Sequence, residues 1–156
     1  MFRLDGKVAL VTGCGTLGEG WGNGKAISVA LARQGASIFG SDLNLEAAQQ
    51  TKKIIEDEGG TAHVLTADAT QADDVKRLVD ACMAQYGRID ILINNASAIN
   101  LTRTDQTPAK RFDLMFDVNV RGTFLTSQAA LPHLRKSAAE GRNPHILNLS
   151  PPLSMK

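Results

Sequence analysis

Short apolar runs alternate with stretches of helical periodicity along nearly the whole chain. Residues 8–12, 37–41, 62–67, 89–93 and 145–149 are apolar enough to form buried strands. Residues 25–34, 45–58 and 72–86 between them carry a helical period. A longer helical stretch runs from 109 to 136 and is expected to break near Asp117. Within 72–86, Val75, Leu78, Val79, Cys82 and Met83 recur three and four apart, which puts them on one face. Gly35, Gly59, Gly60 and Gly87 stand where helices should stop. Near-continuous apolar strands need cover on both faces, and strands that alternate with helices pair in parallel. Right-handed crossovers then predict an α/β fold, a doubly wound, Rossmann-like parallel sheet of order 3-2-1-4-5. Ligands of such sheets bind at the carboxyl ends of the strands, beside the reversal between strands 1 and 4.

Composition narrows the partners. The 156 residues suit one domain, 1–156, large enough to bury a core. A net charge of +1, with acids and bases intermixed, gives no electrostatic footprint for nucleic acid or an anionic membrane. No apolar run approaches the length of a membrane span, and residues 1–7 lack the apolar stretch of a signal peptide. Cys14 and Cys82 have neither disulfide nor metal spacing, and His63, His133 and His145 are scattered. No metal is expected, and the setting expected is reducing and cytoplasmic.

The first strand carries the most informative chemistry. It ends at Thr12-Gly13 and runs into a glycine-dense loop closing with Gly22-Asn23-Gly24-Lys25, where the first helix begins. Glycine allows a ligand close to the backbone, and a helix start offers unpaired N–H donors at the positive end of its dipole. Together they form a cradle for a diphosphate. Asp42 ends the second apolar run, eighteen residues after Gly24, where a carboxylate can accept both hydroxyls of an adenosine ribose. Asp68 follows the third strand. It suits either an adenine amino group or the start of the 72–86 helix, although Thr70 or Gln71 is the better cap region. Asn94 and Asn95, at the end of the fourth strand, can tie neighbouring loops together and touch a ligand. Asn119 lies inside a helical stretch, where asparagine is a mediocre former. It marks a backbone distortion, a water site or an exposed position.

With these residues assembled, the chain resembles the short-chain dehydrogenase/reductase family. Thr12-Gly13, Gly22-x-Gly24, Asp42, Asp68, Asn94-Asn95-Ala96, Asn119 with Gly122, and Ile146-Leu147-Asn148-Leu149-Ser150 occur in the family's order. The resemblance implies reversible hydride transfer between a nicotinamide dinucleotide and a small-molecule alcohol or carbonyl. It gives the diphosphate to Gly13, Gly22, Asn23 and Gly24, the ribose to Asp42, the adenine side to Asp68 and Ala69, and the cofactor's ribose region to Asn95. It further implies that Asn119 touches a proton-relay water and that Ser150 polarises the substrate oxygen, with Ser154 a weaker alternative. NAD is favoured over NADP, since a carboxylate repels a 2′-phosphate. The helix at 118–135 implies a homo-oligomer. The alternatives are a non-catalytic NAD-binding or assembly protein, and a methyltransferase, which also holds a ribose with an acid after strand 2. Thr12-Gly13, the paired asparagines and Asn119 argue against the methyltransferase.

The departures from the family pattern also carry expectations. About five extra residues separate Gly13 from Gly22, and this insert, with Glu19 and Trp21, is expected to loop outward. Asn95-Ala96-Ser97 replaces the family's Asn-Ala-Gly, and the second half resembles the hydroxysteroid-dehydrogenase-like branch, whereas the first half looks like another branch. The family's proton donor is a tyrosine four residues before a lysine. The one tyrosine here, Tyr86, has Asp90 at that distance. A truncation before that motif is therefore expected, without the family's later strands and with 145–149 left as an exposed edge.

Overall fold

The computed structural model describes residues 3–18 and 20–149. Its sheet is built from β1 (Val8–Thr12), β2 (Ser37–Asp42), β3 (Ala62–Thr66), β4 (Ile91–Asn94) and β5 (His145–Asn148). All neighbours pair in parallel, in the order β3-β2-β1-β4-β5, as the sequence predicts. The five residues of β1 are all buried. Side chains alternate across the pleat, so Ala9 and Val11 join one core with Val29, Ile38, Ala48, Ile55 and Ile93. Val8 and Leu10 join the other with Phe39, Leu78, Cys82, Leu92, Ala130 and Leu134.

Helices α1 (Asn23–Arg33), α2 (Leu45–Asp57), α3 (Ala72–Tyr86), α4 (Ala109–Phe116) and α5 (Thr123–Ala139) complete the layers. Asn44 caps α2 by accepting from the Ala47 N–H at 3.2 Å. Gln71 is the cap residue of α3, inside the region expected, and Gly87 ends that helix in the left-handed conformation, φ 71°. The stretch from 109 onward breaks at Asp117, as expected, through a π-helical turn over Asp117–Gly122 rather than a loop. Asn119 sits in that turn.

Among the strands, the boundaries differ most at β4. Ile89 is fully buried but lies before the paired segment, and the apolar pattern alone assigns it to the strand. Asp90, between Ile89 and β4, is buried as well. Its carboxylate accepts from the Val8 N–H (2.9 Å), the Ser137 hydroxyl (2.6 Å) and Arg142 Nε (2.8 Å). Burial on its own pushes this carboxyl up. The donors of Arg142, Ser137 and Val8 outweigh that, and the net shift is downward. Arg142 also bonds the Gly6 carbonyl, and Lys7 bonds the Arg142 carbonyl, so this lock fastens the amino-terminal end of the sheet. Glu19, Ser150 and Ser154 lie outside the described residues.

Candidate functional site

The sheet register brings the polar ends of the strands into one row. Ser41 pairs with Thr12, Thr12 with Asn94, and Asn94 with Asn148. Thr12 is the hub: its hydroxyl accepts from the backbone N–H groups of Asn95 and Ala96, both at 3.2 Å. The Asn95 amide donates back to the carbonyls of Thr12 (3.1 Å) and Gly13 (2.7 Å). Asn95 thereby welds the loop after β4 to the loop after β1 at the point where the strand order reverses, the tying role expected of it. Asn94 performs a second weld. It donates to Ser127 Oγ (3.0 Å) and Asn148 Oδ1 (2.8 Å) and accepts from Thr126 Oγ1 (2.5 Å), joining β4 to α5 and β5.

The start of α1 is pressed into this weld. A Cβ on Gly24 would overlap the Gly13 carbonyl oxygen and come within 2.5 Å of Asn95 Nδ2. Gly22 precedes the helix in extended conformation, and no side chain caps the N–H groups that follow. A cleft of about 590 Å³ opens in front of them, within the range of small-molecule sites. Gly13, Gly22, Asn23, Gly24, Asp42, Asp68, Ala69 and Asn95 all line it. Asn119 does not.

The two acids hold different postures. Asp42 accepts from the Gly15 N–H at 2.9 Å and the Asn44 N–H at 3.0 Å, which fixes its carboxylate at the cleft wall. Asp68 Oδ1 accepts from the N–H (2.9 Å) and hydroxyl (2.8 Å) of Thr70, and Oδ2 takes no bond from the described residues. Among the described residues no lysine or arginine lines the cleft. The cleft is acidic on the β2–β3 side and lined by glycines and uncapped amides at α1.

Asn119 acts from behind. Its amide accepts from the Ala98 N–H (3.0 Å) and donates to the Ala98 carbonyl (2.8 Å), so it positions a wall of the cleft instead of facing into it. The tyrosine is elsewhere altogether. Tyr86 donates to the Ile38 carbonyl at 3.2 Å, meets His63 Nδ1 at 3.1 Å, and packs edge-on against Phe39. Burial, with Cys82 and Glu56 nearby, pushes its phenol up to about 12, the opposite of what a proton donor needs. Burial likewise pushes Cys14 up to about 12.

Sequence reasoning missed the Thr12 hub and the partners of Asn94. Thr126 and Ser127 are polar residues on the face of α5 that meets β4, and that was the available signal. Leu17, Gly18, Gly20 and Trp21 of the insert are exposed, but the insert is not detached: Leu17 lines the cleft, and Lys25 holds the Gly20 carbonyl at 2.9 Å. Among the described residues no helix is long and apolar enough to cross a membrane.

The same architecture occurs in known proteins. A hydroxysteroid dehydrogenase from Escherichia coli superposes with a TM-score of 0.79 at 34% identity, over 86% of this chain and 55% of that one. A short-chain type dehydrogenase/reductase from Mycobacterium marinum does so with a TM-score of 0.81 at 32% identity, over 93% and 56%. Hydroxysteroid dehydrogenase-like protein 2 of Danio rerio is 41% identical over 99% of this chain and 38% of its own length. The Homo sapiens protein of that name is 40% identical over 98% and 36%. Likeness to that branch therefore extends over the first half as well as the second. The chain spans just over a third of these curated relatives and just over half of the solved chains. The family model described as short chain dehydrogenase matches residues 7–153. The chain belongs to that family of oxidoreductases, whose members bind a nicotinamide cofactor.

Proposed function

We propose that the cleft binds NAD(H) and that the protein of which these residues form the nucleotide-binding part interconverts an alcohol and a carbonyl. The cofactor supplies hydride acceptance and donation. The chain's own groups bind and orient it. The uncapped start of α1, with Gly13, Gly22, Asn23 and Gly24, takes the diphosphate on backbone donors. Asp42 accepts the adenosine ribose hydroxyls, Asp68 and Ala69 flank the adenine, and Asn95 holds the far ribose. Asn119 keeps the Ala98 wall in place for the reacting end. Ser150, outside the described residues, is the proposed partner of the substrate oxygen.

One observation carries the preference for NAD. The carboxylate of Asp42 is pinned at the cleft wall by two backbone donors, with no cation among the described residues that line the cleft to receive a 2′-phosphate. Two unit charges about 4 Å apart repel by ~4 kcal/mol at an effective dielectric near 20. Calorimetric titration tests this. NAD should bind at least tenfold more tightly than NADP, and Asp42→Ala should weaken NAD and narrow the gap. Equal affinities in the wild type would remove the assignment.

Self-association belongs to the same reading. Phe112, Phe116, Val120 and Phe124 form an exposed stripe at four-residue spacing across α4 and α5, rich enough in apolar surface to seat a second copy. The buried cysteines fit a reducing, cytoplasmic setting.

A further inference from the structure

Asn23 and Gly24 set a side-chain amide beside a backbone nitrogen that no side chain shields. The pair is the single Asn-Gly of the 156 residues. Asn23 is exposed and lines the cleft, and Gly24 is buried beneath it. The fold demands glycine at 24, because a Cβ there would overlap the Gly13 carbonyl oxygen. The same glycine leaves Asn23 Cγ open to the Gly24 nitrogen, since no Cβ stands in the way. In a helix interior that nitrogen would be engaged through its N–H. Gly24 is instead the second residue of α1, ahead of the bond that the Ala26 N–H donates to the Gly22 carbonyl at 3.0 Å. No side chain caps α1, and among the described residues the Gly24 N–H has no acceptor. The positive end of the helix dipole stabilises the negative charge that this nitrogen takes on as it loses its proton. Because Gly24 is buried, ring closure waits for the first turn to open, and an uncapped helix start is a segment that opens readily.

We propose that Asn23-Gly24 is a modification site of the unliganded chain, where Asn23 converts itself to aspartate or isoaspartate, and that a dinucleotide bound in the cleft suppresses the conversion. The Gly24 nitrogen gives its proton to water and attacks Asn23 Cγ. The bond from Cγ to Nδ2 breaks, ammonia leaves with a proton, and a five-membered succinimide remains. Water then adds to either ring carbonyl, reopens the ring and leaves a free carboxylic acid. Nothing is oxidised or reduced: ammonia is exchanged for water, a gain of about 1 Da. The new carboxylate stands at the start of α1, where it repels a diphosphate. That consequence and the protection rest on the reading of the cleft as an NAD site, whereas the conversion itself does not.

The chain is incubated for days at mildly alkaline pH, with and without NAD, and mapped by peptide mass, with isoaspartate detected by an isoaspartyl methyltransferase. The gain of about 1 Da should concentrate on the peptide that holds Asn23. Asn44 and Asn148, which are also exposed but precede leucine, should lag far behind. Only the free chain reacts, so NAD at about a hundred times its Kd should slow conversion by up to about a hundredfold. The NAD affinity of the incubated wild type should fall with the converted fraction, while Asn23→Ser should keep its own starting affinity. Asn23→Asp should bind NAD about tenfold more weakly at an unlowered Tm, since a carboxylate in a first turn suits the helix dipole. A folded chain that stays unconverted at Asn23 while the urea-unfolded chain converts would overturn the site. Conversion that runs at its free rate in the presence of bound NAD would overturn the protection. A fresh wild type that does not bind NAD would overturn the cofactor reading, and the mapping of the unliganded chain would still decide the modification.

Discussion

Replacing Asp90 with asparagine isolates the lock at the amino-terminal end of the sheet. The side chain is fully buried, and every partner it has is a donor: the Val8 N–H, Ser137 Oγ, and Arg142 Nε and Nη2. Asparagine keeps the shape but turns one acceptor into a donor that faces these donors. It also leaves the guanidinium of Arg142, 24% exposed, without its counter-ion. Breaking one side of a buried pair costs about 3–5 kcal/mol, and the partial exposure of Arg142 brings the expectation to about 2–4 kcal/mol. For a chain of this length that is a fall in Tm of roughly 5–15 °C. Urea unfolding should show a lower midpoint at an unchanged slope. Acid gives a second signature. The folded-state carboxyl is held below its unfolded value, so its stabilisation is full above the unfolded carboxylate range and is lost as pH falls through the lowered folded value. The gap between wild type and variant should therefore close in acid. NAD affinity should not change, because the lock lies at the opposite end of β4 from the cleft. A variant within about 0.5 kcal/mol of wild type at neutral pH, or a gap that widens in acid, would refute this reasoning.

Gly24→Ala should cost about 1–3 kcal/mol by forcing α1 off the Gly13–Asn95 weld, and should weaken NAD more than tenfold; calorimetry and thermal melts check both. Asn119→Ala removes two bonds to Ala98 and should destabilise by about 1–3 kcal/mol while weakening NAD only a few fold, since the residue does not face the cleft. Tyr86→Phe should cost about 1 kcal/mol and leave NAD titrations unchanged.

The parts of this molecule that were legible in the sequence are those governed by short-range pattern. The order of the sheet followed from apolar runs alternating with helices, and Asn119 stood out as a mediocre helix former inside the stretch that breaks at Asp117. Asp42 and the glycines were legible because spacing along the chain fixes where they fall on the strand ends. Asp90 was not, because its partners lie about fifty and eighty residues away and nothing local marks a buried acid inside an apolar run. Asn119 was legible as a distortion but not in its direction, since only the fold decides that its amide meets Ala98. Lys25 was illegible for the opposite reason: a basic residue on a first turn is ordinary until the loop ahead of it folds back.

Hydrogen exchange with and without NAD tests the central claim most directly, because it locates the ligand on the chain without assuming a reaction. On the present account NAD slows exchange in the segments around Gly13, Gly24, Asp42 and Asn95, and leaves the segments around Tyr86 and Arg142 as they were. Protection centred on Tyr86 or Arg142, or NAD binding with no slowing at Gly13, Gly24, Asp42 and Asn95, would contradict it.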